Sequence, residues 1–421
     1  MLTVSLLLLG AVLLALVLVD RPVRRLPLTP AVIYLAIGWM AGAALGAPSG
    51  VQLDALMPSL LVGTELAVLV SLFAVGVRLR VPPSVRSWRV ALLMAGPGMV
   101  VCIVLGALFA AWLLGLPWGA ALLLSAVLAP TDPVLASEVQ IQSDADRDAV
   151  RLSLTAEGGL NDGTALPAVL LALGLLNLHD LGYGGLRWWL RDLAWPILGG
   201  VLLGMGIGWS IGHALRLRLE HGDKVARDEL LYIGAVLLAY GLARGTDTST
   251  FMVVFACGAT LLWPLRSEAV AEGTQALAQR LQSFGARIER LVEAGKVLAV
   301  GVALHSVPPS LATMVFALAS ALVVRPFSVL VTVWRGSMTT HQRRLVAWFG
   351  IRGIGTLFYL AFALRSGVSG TLAAELLRAG LATIAVSIVL HGVSATPLMV
   401  AYQRRRRPVP EARRGSGDPP L

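Results

Sequence analysis

The sequence predicts an all-α protein that crosses a membrane many times, and three observations lead to this fold class. Of its 421 residues, 57% are hydrophobic and only 14% are charged, whereas a soluble domain carries roughly a quarter charged residues. Apolar runs of about 20 residues recur along the whole chain, and each is long enough to cross a hydrocarbon core about 30 Å thick. Basic residues, which give a net charge of +10, collect in the short loops between these runs.

The apolar runs predict about 13 transmembrane helices. The first run has no basic segment before it and no small-residue cleavage site after it, so we interpret it as a retained span rather than a signal peptide. Residues 266–284 are predicted to form an amphipathic cytoplasmic helix, and residues 403–421 a basic tail. The predicted spans lie near 2–19, 30–47, 59–77, 90–114, 118–140, 151–177, 193–215, 229–243, 249–264, 285–305, 309–334, 344–364 and 371–401.

Arginine-rich loops alternate along the chain with loops that carry few charges, and Arg187 and Arg191 in the loop near 178–192 are exceptions. The positive-inside rule places the arginine-rich loops in the cytoplasm of a bacterial-type plasma membrane, with the N-terminus outside and the C-terminus inside. This distribution accounts for the net positive charge without nucleic acid as a partner. The two cysteines, Cys102 and Cys257, lie in apolar runs and indicate neither a disulfide framework nor a metal motif.

Two triplets of spans, at 90–177 and 309–401, have interrupted middle members. Pro130 and Pro133 interrupt the first, and a cluster of glycines that includes Gly353 interrupts the second. Because the triplets start from opposite sides of the membrane, they predict an inverted repeat. Paired interrupted helices are the sequence feature that best indicates the binding site of a carrier.

The first interruption favours a cation site. Pro130 and Pro133 each remove a backbone donor, so the helix is expected to unwind and leave carbonyl groups near Thr131 unpaired. Such backbone is tolerated within a membrane only where it is buried in protein or lines a wet cavity, and hard cations prefer oxygen ligands. Asp132 lies within this segment and is a candidate ligand. The alternative is a proline kink with no ligand role.

Asp162 is the principal candidate for ion binding. A charge within the hydrocarbon region costs several kcal/mol and therefore needs a reason. A carboxylate in an apolar, partly wet cavity holds either a proton or a cation, but not both well, which is the basis of exchange at one site. Asn161 precedes it in the sequence, and Glu157 lies one helical turn before Asn161. The alternative is a buried carboxylate that is satisfied by hydrogen bonds and has a structural role only.

Four further polar residues within the spans allow two interpretations each. Arg325 is predicted to pair with Glu157, either to brace the site or merely to join two helices. Arg352 either neutralises the carbonyl groups at the end of a broken helix or extends to the cytoplasmic face. Glu65 is either a second carboxylate of the site or a packing group, and His391 is more often a satisfied polar residue than a proton relay.

The span near 193–215 contains two overlapping sequence patterns that predict different roles for it. Gly208-Trp209-Ser210-Ile211-Gly212 matches the GxSxG pattern of serine hydrolases, but that pattern requires a strand–turn–helix elbow. Gly200, Gly204, Gly208 and Gly212 instead recur every four residues, which is typical of a close-packing helix surface. The spacing therefore favours helix contact over an intramembrane hydrolase.

Four segments together resemble the monovalent cation:proton antiporter-1 family, which includes the NhaP-type bacterial sodium/proton antiporters and the eukaryotic sodium/hydrogen exchangers. These segments are Leu128-Ala-Pro-Thr-Asp-Pro-Val-Leu-Ala-Ser137, Glu157-Gly-Gly-Leu-Asn-Asp-Gly163, Trp348-Phe-Gly-Ile-Arg-Gly-Ile-Gly355 and His391-Gly-Val-Ser-Ala-Thr-Pro397. The likeness covers nearly the whole chain in order and spacing.

The resemblance implies a homodimer without cofactors that exchanges Na⁺ or Li⁺ for H⁺, electroneutrally, by movement of a core domain that contains crossed, interrupted helices. It implies that Asp162 binds the ion, with Asn161 in support and Thr131 and Glu65 as further ligands. The expected domains are a scaffold at 1–88 and 179–308, a core at 89–178 and 309–402, and a tail at 403–421. Exchange of K⁺ for H⁺ in the same fold is the alternative. A non-transporting sensor is disfavoured because no soluble output domain is predicted.

Overall fold

The computed structural model describes most of the chain, namely residues 10, 29–45, 50–79, 85–132, 139–141, 146, 148–221, 227–266, 270–333 and 338–406. Within these ranges the side chains of residues 45, 50–60, 85–87, 354 and 406 are not described. The predicted first span at 2–19, except for residue 10, lies outside the described residues, as do Pro133 and residues 407–421 of the predicted tail.

The described part of the chain is built from helices, and every predicted span except the first contains described helix. The first half holds α1 (Pro30–Leu45), α2 (Gly50–Arg78), α3 (Val85–Leu93), α4 (Met99–Leu114), α5 (Trp118–Leu128), α6 (Ala149–Leu175) and α7 (Gly200–Glu220). The second half holds α8 (Asp228–Gly245), α9 (Thr250–Thr260), α10 (Ala271–Ser306), α11 (Leu311–Ala319), α12 (Arg325–Thr332), α13 (Thr340–Trp348), α14 (Ile354–Arg365) and α15 (Gly370–Arg406).

Five described helical stretches are long and apolar enough to cross a membrane. Four shorter apolar helices include α5, α9 and most of α14; two of these, α5 and α14, flank the predicted interruptions. The long stretches are Leu61–Arg78, Trp88–Leu114, Tyr183–Glu220, Leu311–Thr332 and Gly370–Arg405.

The surface of α4 shows why these helices suit a lipid environment. Val100, Val104, Leu108 and Trp112 recur every four residues and are all exposed, with Trp112 at 77% of its full accessibility. A row of large apolar side chains on one helix face is unfavourable in water but is suited to contact with lipid. The opposite face carries small residues, such as Gly106, that are buried against neighbouring helices.

One predicted boundary is wrong. Residues 266–284 were expected to form an amphipathic cytoplasmic helix that is separate from a span at 285–305. Instead α10 runs without interruption from Ala271 to Ser306. Its N-terminal half is polar and its C-terminal half apolar, but no proline or paired glycine separates them, so the helical hydrogen bonds continue through the change in composition.

The two triplets share a further irregularity that the sequence analysis did not identify. A π-helical turn, Met94–Gly98, joins α3 to α4 and contains Pro97. A second π-helical turn, Ser320–Val324, joins α11 to α12, which has Pro326 in its first turn. A proline cannot donate the usual helical hydrogen bond, and a widened turn accommodates that loss. The first span of each triplet is thus interrupted in a similar way.

The glycine row on α7 packs closely against α9. An ideal Cβ atom at Gly204, Gly208 or Gly212 would lie 2.3 Å or less from a backbone oxygen atom of Val253, Cys257 or Leu261, respectively. Only a residue without a Cβ atom allows this approach of two helix backbones. Ser210 is exposed on the same helix, so the GxSxG match has no elbow around it.

Candidate functional site

The two interrupted helices contact each other directly. Helix α5 ends at Leu128, and residues 129–132 continue without helical structure; residues 349–353 likewise separate α13 from α14. The backbone N–H of Asp132 donates a hydrogen bond to the carbonyl oxygen of Ile351 at 2.7 Å. Pro130 accounts for the first interruption because it lacks a donor, and the glycines around Ile351 weaken helix propensity at the second.

Arg352 neutralises the end of the opposite helix. Its guanidinium donates to the carbonyl oxygen of Ala129 and to that of Pro130, the latter at 3.2 Å, and its side chain is buried. These carbonyl groups form the negative C-terminal end of α5, where a cation is stabilising. Of the two interpretations of Arg352, the structure supports charge neutralisation and contradicts extension to the cytoplasmic face.

Two glycines of the second interruption lie against the two aspartates. An ideal Cβ atom at Gly353 would lie 2.2 Å from Oδ2 of Asp132, and one at Gly355 would lie 2.2 Å from Oδ1 of Asp162. No side chain fits at either position without displacing a carboxylate. The carboxylate of Asp162 therefore lies beside the first turn of α14, where the helix dipole favours negative charge.

Asp162 is buried in the middle of α6, at 7% exposure, and its neighbours organise the site. The Asn161 amide nitrogen donates to the Thr131 hydroxyl oxygen at 2.7 Å, which joins α6 to the first interruption. The Asn161 amide oxygen is buried without a hydrogen-bond donor from the protein. The Tyr359 hydroxyl donates to the backbone carbonyl of Asp162 and ties α14 to α6; sequence reasoning did not identify this tyrosine.

Asp132 does not present a carboxylate that is open to an ion. Its Oδ2 atom accepts a hydrogen bond from Nζ of Lys296 at 2.7 Å, and both side chains are buried. Lys296 lies on α10, far from Asp132 in sequence, and was not among the candidates. The expectation that Asp132 binds the ion directly is therefore not supported, because a buried ammonium group already neutralises it.

Glu157 and Arg325 form a bidentate ion pair. The two guanidinium nitrogens donate to the two carboxylate oxygens at 2.5 and 2.8 Å, and both side chains are buried. The same guanidinium donates to the carbonyl oxygen of Phe349 at 3.3 Å, and an ideal Cβ atom at Gly350 would lie 2.5 Å from Cγ of Arg325. The pair thus connects α6 and α12 to the second interruption.

Glu65 lies close enough to Tyr359 for electrostatic interaction, and Tyr359 interacts in the same way with Asp162. Its carboxylate accepts from the Tyr240 hydroxyl at 3.4 Å and interacts with Thr250. Among the described contacts none joins Glu65 to Asp162. The role of Glu65 as an ion ligand beside Asp162 therefore stays a prediction.

His391 is a satisfied polar residue. Its Nε2 atom lies 2.9 Å from the carbonyl oxygen of Trp348, and its Nδ1 atom lies 3.2 Å from the Ser387 hydroxyl. That hydroxyl also accepts from the backbone N–H of Arg352 at 2.9 Å. The Nδ1 atom also lies 2.8 Å from the carbonyl oxygen of Ser387. Both ring nitrogens thus lie within hydrogen-bond distance of protein oxygen atoms, and His391 supports the backbone of the second interruption.

A second polar network, also absent from the sequence candidates, lies on the same helix as Lys296. Arg78 donates to the Glu289 carboxylate and, at 2.6 Å, to the amide oxygen of Gln140. Glu289 and Lys296 are seven residues apart and lie on one face of α10. Two charged residues at this spacing within a predicted span are the signal that was available in the sequence.

Three buried acids of this cluster differ in whether they have a basic partner. Asp132 is paired with Lys296 and Glu157 with Arg325, whereas no described basic side chain lies within salt-bridge distance of Asp162. Asp162 is nevertheless close enough to Asp132 and Lys296 for electrostatic interaction with both. Asp162 is therefore the carboxylate of the cluster without a described salt-bridge partner, and it lies beside the amide oxygen of Asn161, which accepts no hydrogen bond from the protein.

The family described as "Sodium/hydrogen exchanger, transmembrane" matches residues 9–401 of this chain. The K(+)/H(+) antiporter NhaP2 of Shewanella sp. (strain MR-4) is 25% identical over 98% of this chain and 70% of its own length. The Na(+)/H(+) antiporter of Saccharomyces cerevisiae is 30% identical over 48% of this chain and 21% of its own length.

Two solved structures of the sodium proton antiporter MjNhaP1 from Methanocaldococcus jannaschii share the fold. The structure at pH 8 has a TM-score of 0.72 and 18% identity, and covers 94% of this chain and 98% of its own. The electron-microscopy structure has a TM-score of 0.76 and 19% identity, and covers 97% of this chain and all of its own. The predicted fold class, an all-α polytopic membrane protein, is confirmed.

The match over residues 9–401 also confirms the resemblance that four short segments indicated. The protein is a multi-pass membrane transporter and not an enzyme, so the match of Ser210 to a hydrolase pattern has no functional meaning. The chain belongs to the sodium/hydrogen exchanger family and is a monovalent cation/proton antiporter.

Proposed function

We propose that this antiporter exchanges Na⁺ or Li⁺ for H⁺ at Asp162, where the cation and the proton compete for one carboxylate. The observation that carries the proposal is the difference in partners among the buried acids. Asp132 and Glu157 are each ion-paired, while Asp162 is buried beside the interruptions without a described salt-bridge partner. A buried carboxylate needs a neutralising partner, and either a proton or a monovalent cation supplies it.

The charges around Asp162 support one-for-one, electroneutral exchange. The Asp132–Lys296 and Glu157–Arg325 pairs are each neutral in sum. A proton on Asp162 and a monovalent cation on Asp162 therefore leave the cluster with the same total charge. If the loaded site moves across the membrane in either state, the two steps of the cycle carry equal charge.

The ligands that we propose for the cation are the carboxylate of Asp162 and the amide oxygen of Asn161, with Thr131 in contact through Asn161. All three residues present oxygen atoms, and oxygen ligands suit a hard monovalent cation. The buried amide oxygen of Asn161 has no donor from the protein, so it is available to a cation. Glu65 is a further proposed ligand, because Tyr359 interacts electrostatically with both Glu65 and Asp162.

Transport by this site requires access from both sides in turn. We propose that a core of residues 89–178 and 309–402 moves against a scaffold of residues 1–88 and 179–308, within a homodimer that has its C-terminus in the cytoplasm. The support is the family resemblance, together with the contact between both interrupted helices, which makes them one unit around Asp162.

Exchange of K⁺ for H⁺ is the second candidate. It is favoured by relatives from Shewanella that span 98% of this chain and are described as K(+)/H(+) antiporters. Selectivity depends on the size of the cavity and the number of ligands, and the same carboxylate serves either ion.

Cation-dependent proton movement in everted membrane vesicles tests both candidates. Na⁺, Li⁺ and K⁺ are added separately to vesicles with an imposed pH gradient, and the collapse of the gradient is followed with a pH-sensitive dye. We expect the response to be greater with Na⁺ and Li⁺ than with K⁺; the reverse order supports the second candidate. Asp162→Asn should abolish the response, whereas the exposed Asp180→Asn should not. Full activity of Asp162→Asn contradicts the proposed site.

A further inference from the structure

Helix α10 carries a buried lysine, Lys296, which contacts the cluster of buried acids. The chain contains only two lysines, Lys224 and Lys296, although it has many arginines. The Lys296 side chain is 6% exposed, and its ammonium group contacts Oδ2 of Asp132 at 2.7 Å. A lysine places a compact point charge at the end of a flexible stem, so this ammonium can reach a carboxylate that lies deep between other helices.

The position of this charge is fixed from several sides. Asp132 is held by its backbone hydrogen bond to Ile351 and by the close approach of Gly353. Glu289 lies two turns before Lys296 on the same face of α10 and is engaged by Arg78. Asp162 also interacts electrostatically with both Lys296 and Asp132.

Lys296 and Asp132 act on Asp162 in opposite directions. Within a buried cluster the Coulomb interaction between unit charges is far stronger than in water. The ammonium group repels a cation that approaches Asp162, and the carboxylate of Asp132 attracts it. Because the two groups are in contact, each offsets part of the effect of the other at Asp162.

We propose that Lys296 is a positioning residue that sets the affinity for the transported cation, because its charge offsets that of Asp132 beside Asp162. The inference rests on the proposed function, in which Asp162 binds the cation. Without the lysine the site would hold two uncompensated carboxylates and bind the cation too tightly for release. Without Asp132 the ammonium would be left facing Asp162 and would compete with the cation.

A double-mutant cycle in proteoliposomes tests this role. The variants are Lys296→Met, Asp132→Asn and the combination of both, and the readouts are the apparent KM and the maximal rate for whichever of Na⁺, Li⁺ and K⁺ the wild type exchanges fastest, at one fixed alkaline pH. We expect Lys296→Met to lower the KM and Asp132→Asn to raise it, each by about tenfold, which corresponds to about 1.4 kcal/mol. The double variant should return towards the wild-type KM.

Two control variants test whether the shift in KM comes from the charge of Lys296 itself. Arg290→Met removes an exposed charge from the same helix and should leave the KM unchanged. Lys296→Arg keeps the charge and should shift the KM less than Lys296→Met does. If Lys296→Met does not accumulate in the membrane, Lys296→Gln takes its place, and the stabilisation of purified protein against heat by the chloride salt of the same cation reports the affinity independently of transport.

The outcomes are distinct. Opposite shifts of KM that cancel in the double variant support the inference, because a merely structural role would lower the rate in both single variants without shifting the KM in opposite directions. Single variants that shift the KM in the same direction, or leave it unchanged, overturn the inference. Transport that survives in Asp162→Asn overturns the proposed function instead.

Discussion

At the scale of single residues, the site depends on which buried acid has a basic partner. Arg325 donates to both carboxylate oxygens of Glu157, and Lys296 donates to Asp132. Asp162 has no described salt-bridge partner. A buried ion pair contributes little net stability, but breaking it leaves an uncompensated buried charge. The paired acids should therefore matter most for folding, and Asp162 for transport.

The Glu157–Arg325 pair predicts non-additive stability effects. Glu157→Gln leaves the Arg325 guanidinium buried without its carboxylate, and we expect a loss of about 3–5 kcal/mol in stability, seen as a lower melting temperature of purified protein in detergent. Combining it with Arg325→Met should recover part of this loss. The exposed pair of Asp180 and Arg187 is the control, since Asp180→Asn should change stability by less than about 1 kcal/mol. Additive losses in the double variant would disprove the coupling.

The contact between Gly355 and Asp162 predicts that even a methyl group disturbs the site. A Cβ atom at Gly355 would lie 2.2 Å from Oδ1 of Asp162, so Gly355→Ala must displace the carboxylate. We expect a loss of cation-driven proton movement in vesicles, with the protein still present in the membrane. Gly234→Ala in α8 meets nothing within 4 Å and should transport normally. Normal transport by Gly355→Ala would contradict the described position of Asp162.

At the scale of helices, the interruptions and the close contacts were predictable to different degrees. Pro130 predicts the first interruption because a proline cannot continue the hydrogen-bond pattern, and the four-residue spacing of glycines predicts the packing face of α7. The continuity of α10 was not predictable from its composition, which changes from polar to apolar along one helix. The partner of Asp132 was missed because Lys296 lies 164 positions away in sequence, a contact that only the packing of helices brings about.

The glycine row of α7 predicts a contrast between two neighbouring positions. Gly208→Ala would place a Cβ atom 2.3 Å from the carbonyl oxygen of Cys257, whereas Gly206→Ala meets nothing within 4 Å. We expect the first change to lower the melting temperature of the purified protein, because α7 and α9 must separate. The second should leave it unchanged or raise it slightly, since alanine is the better helix former. Equal melting temperatures of the two variants would contradict this packing.

At the scale of the whole molecule, length and composition were sufficient for the fold class, since apolar runs that can cross a bilayer fill most of the chain. The inverted arrangement of two interrupted helices was also visible in the sequence. The positions of Lys296 and Glu289 relative to the interruptions were not visible in the sequence. They depend on how helices that are distant in sequence pack against each other. The orientation in the membrane stays a prediction that rests on the charges of the loops.

Labelling of single cysteines tests that orientation. Tyr183 is fully exposed in the segment between α6 and α7, and His221 is exposed at the end of α7. A membrane-impermeant maleimide should label Tyr183→Cys in intact cells and His221→Cys only in everted vesicles. The native Cys102 and Cys257 are buried, so background labelling should be low. The opposite pattern would reverse the predicted topology.

The central claim, that a cation and a proton compete for Asp162, is tested most directly by proton release on cation binding. Purified protein in a weakly buffered detergent solution is mixed with NaCl, LiCl or KCl at a pH at which Asp162 holds its proton, and the change in pH is recorded. The account predicts about one proton released for each cation bound by the wild type, and none from Asp162→Asn. Cation binding without proton release, or equal release from Asp162→Asn, would contradict it.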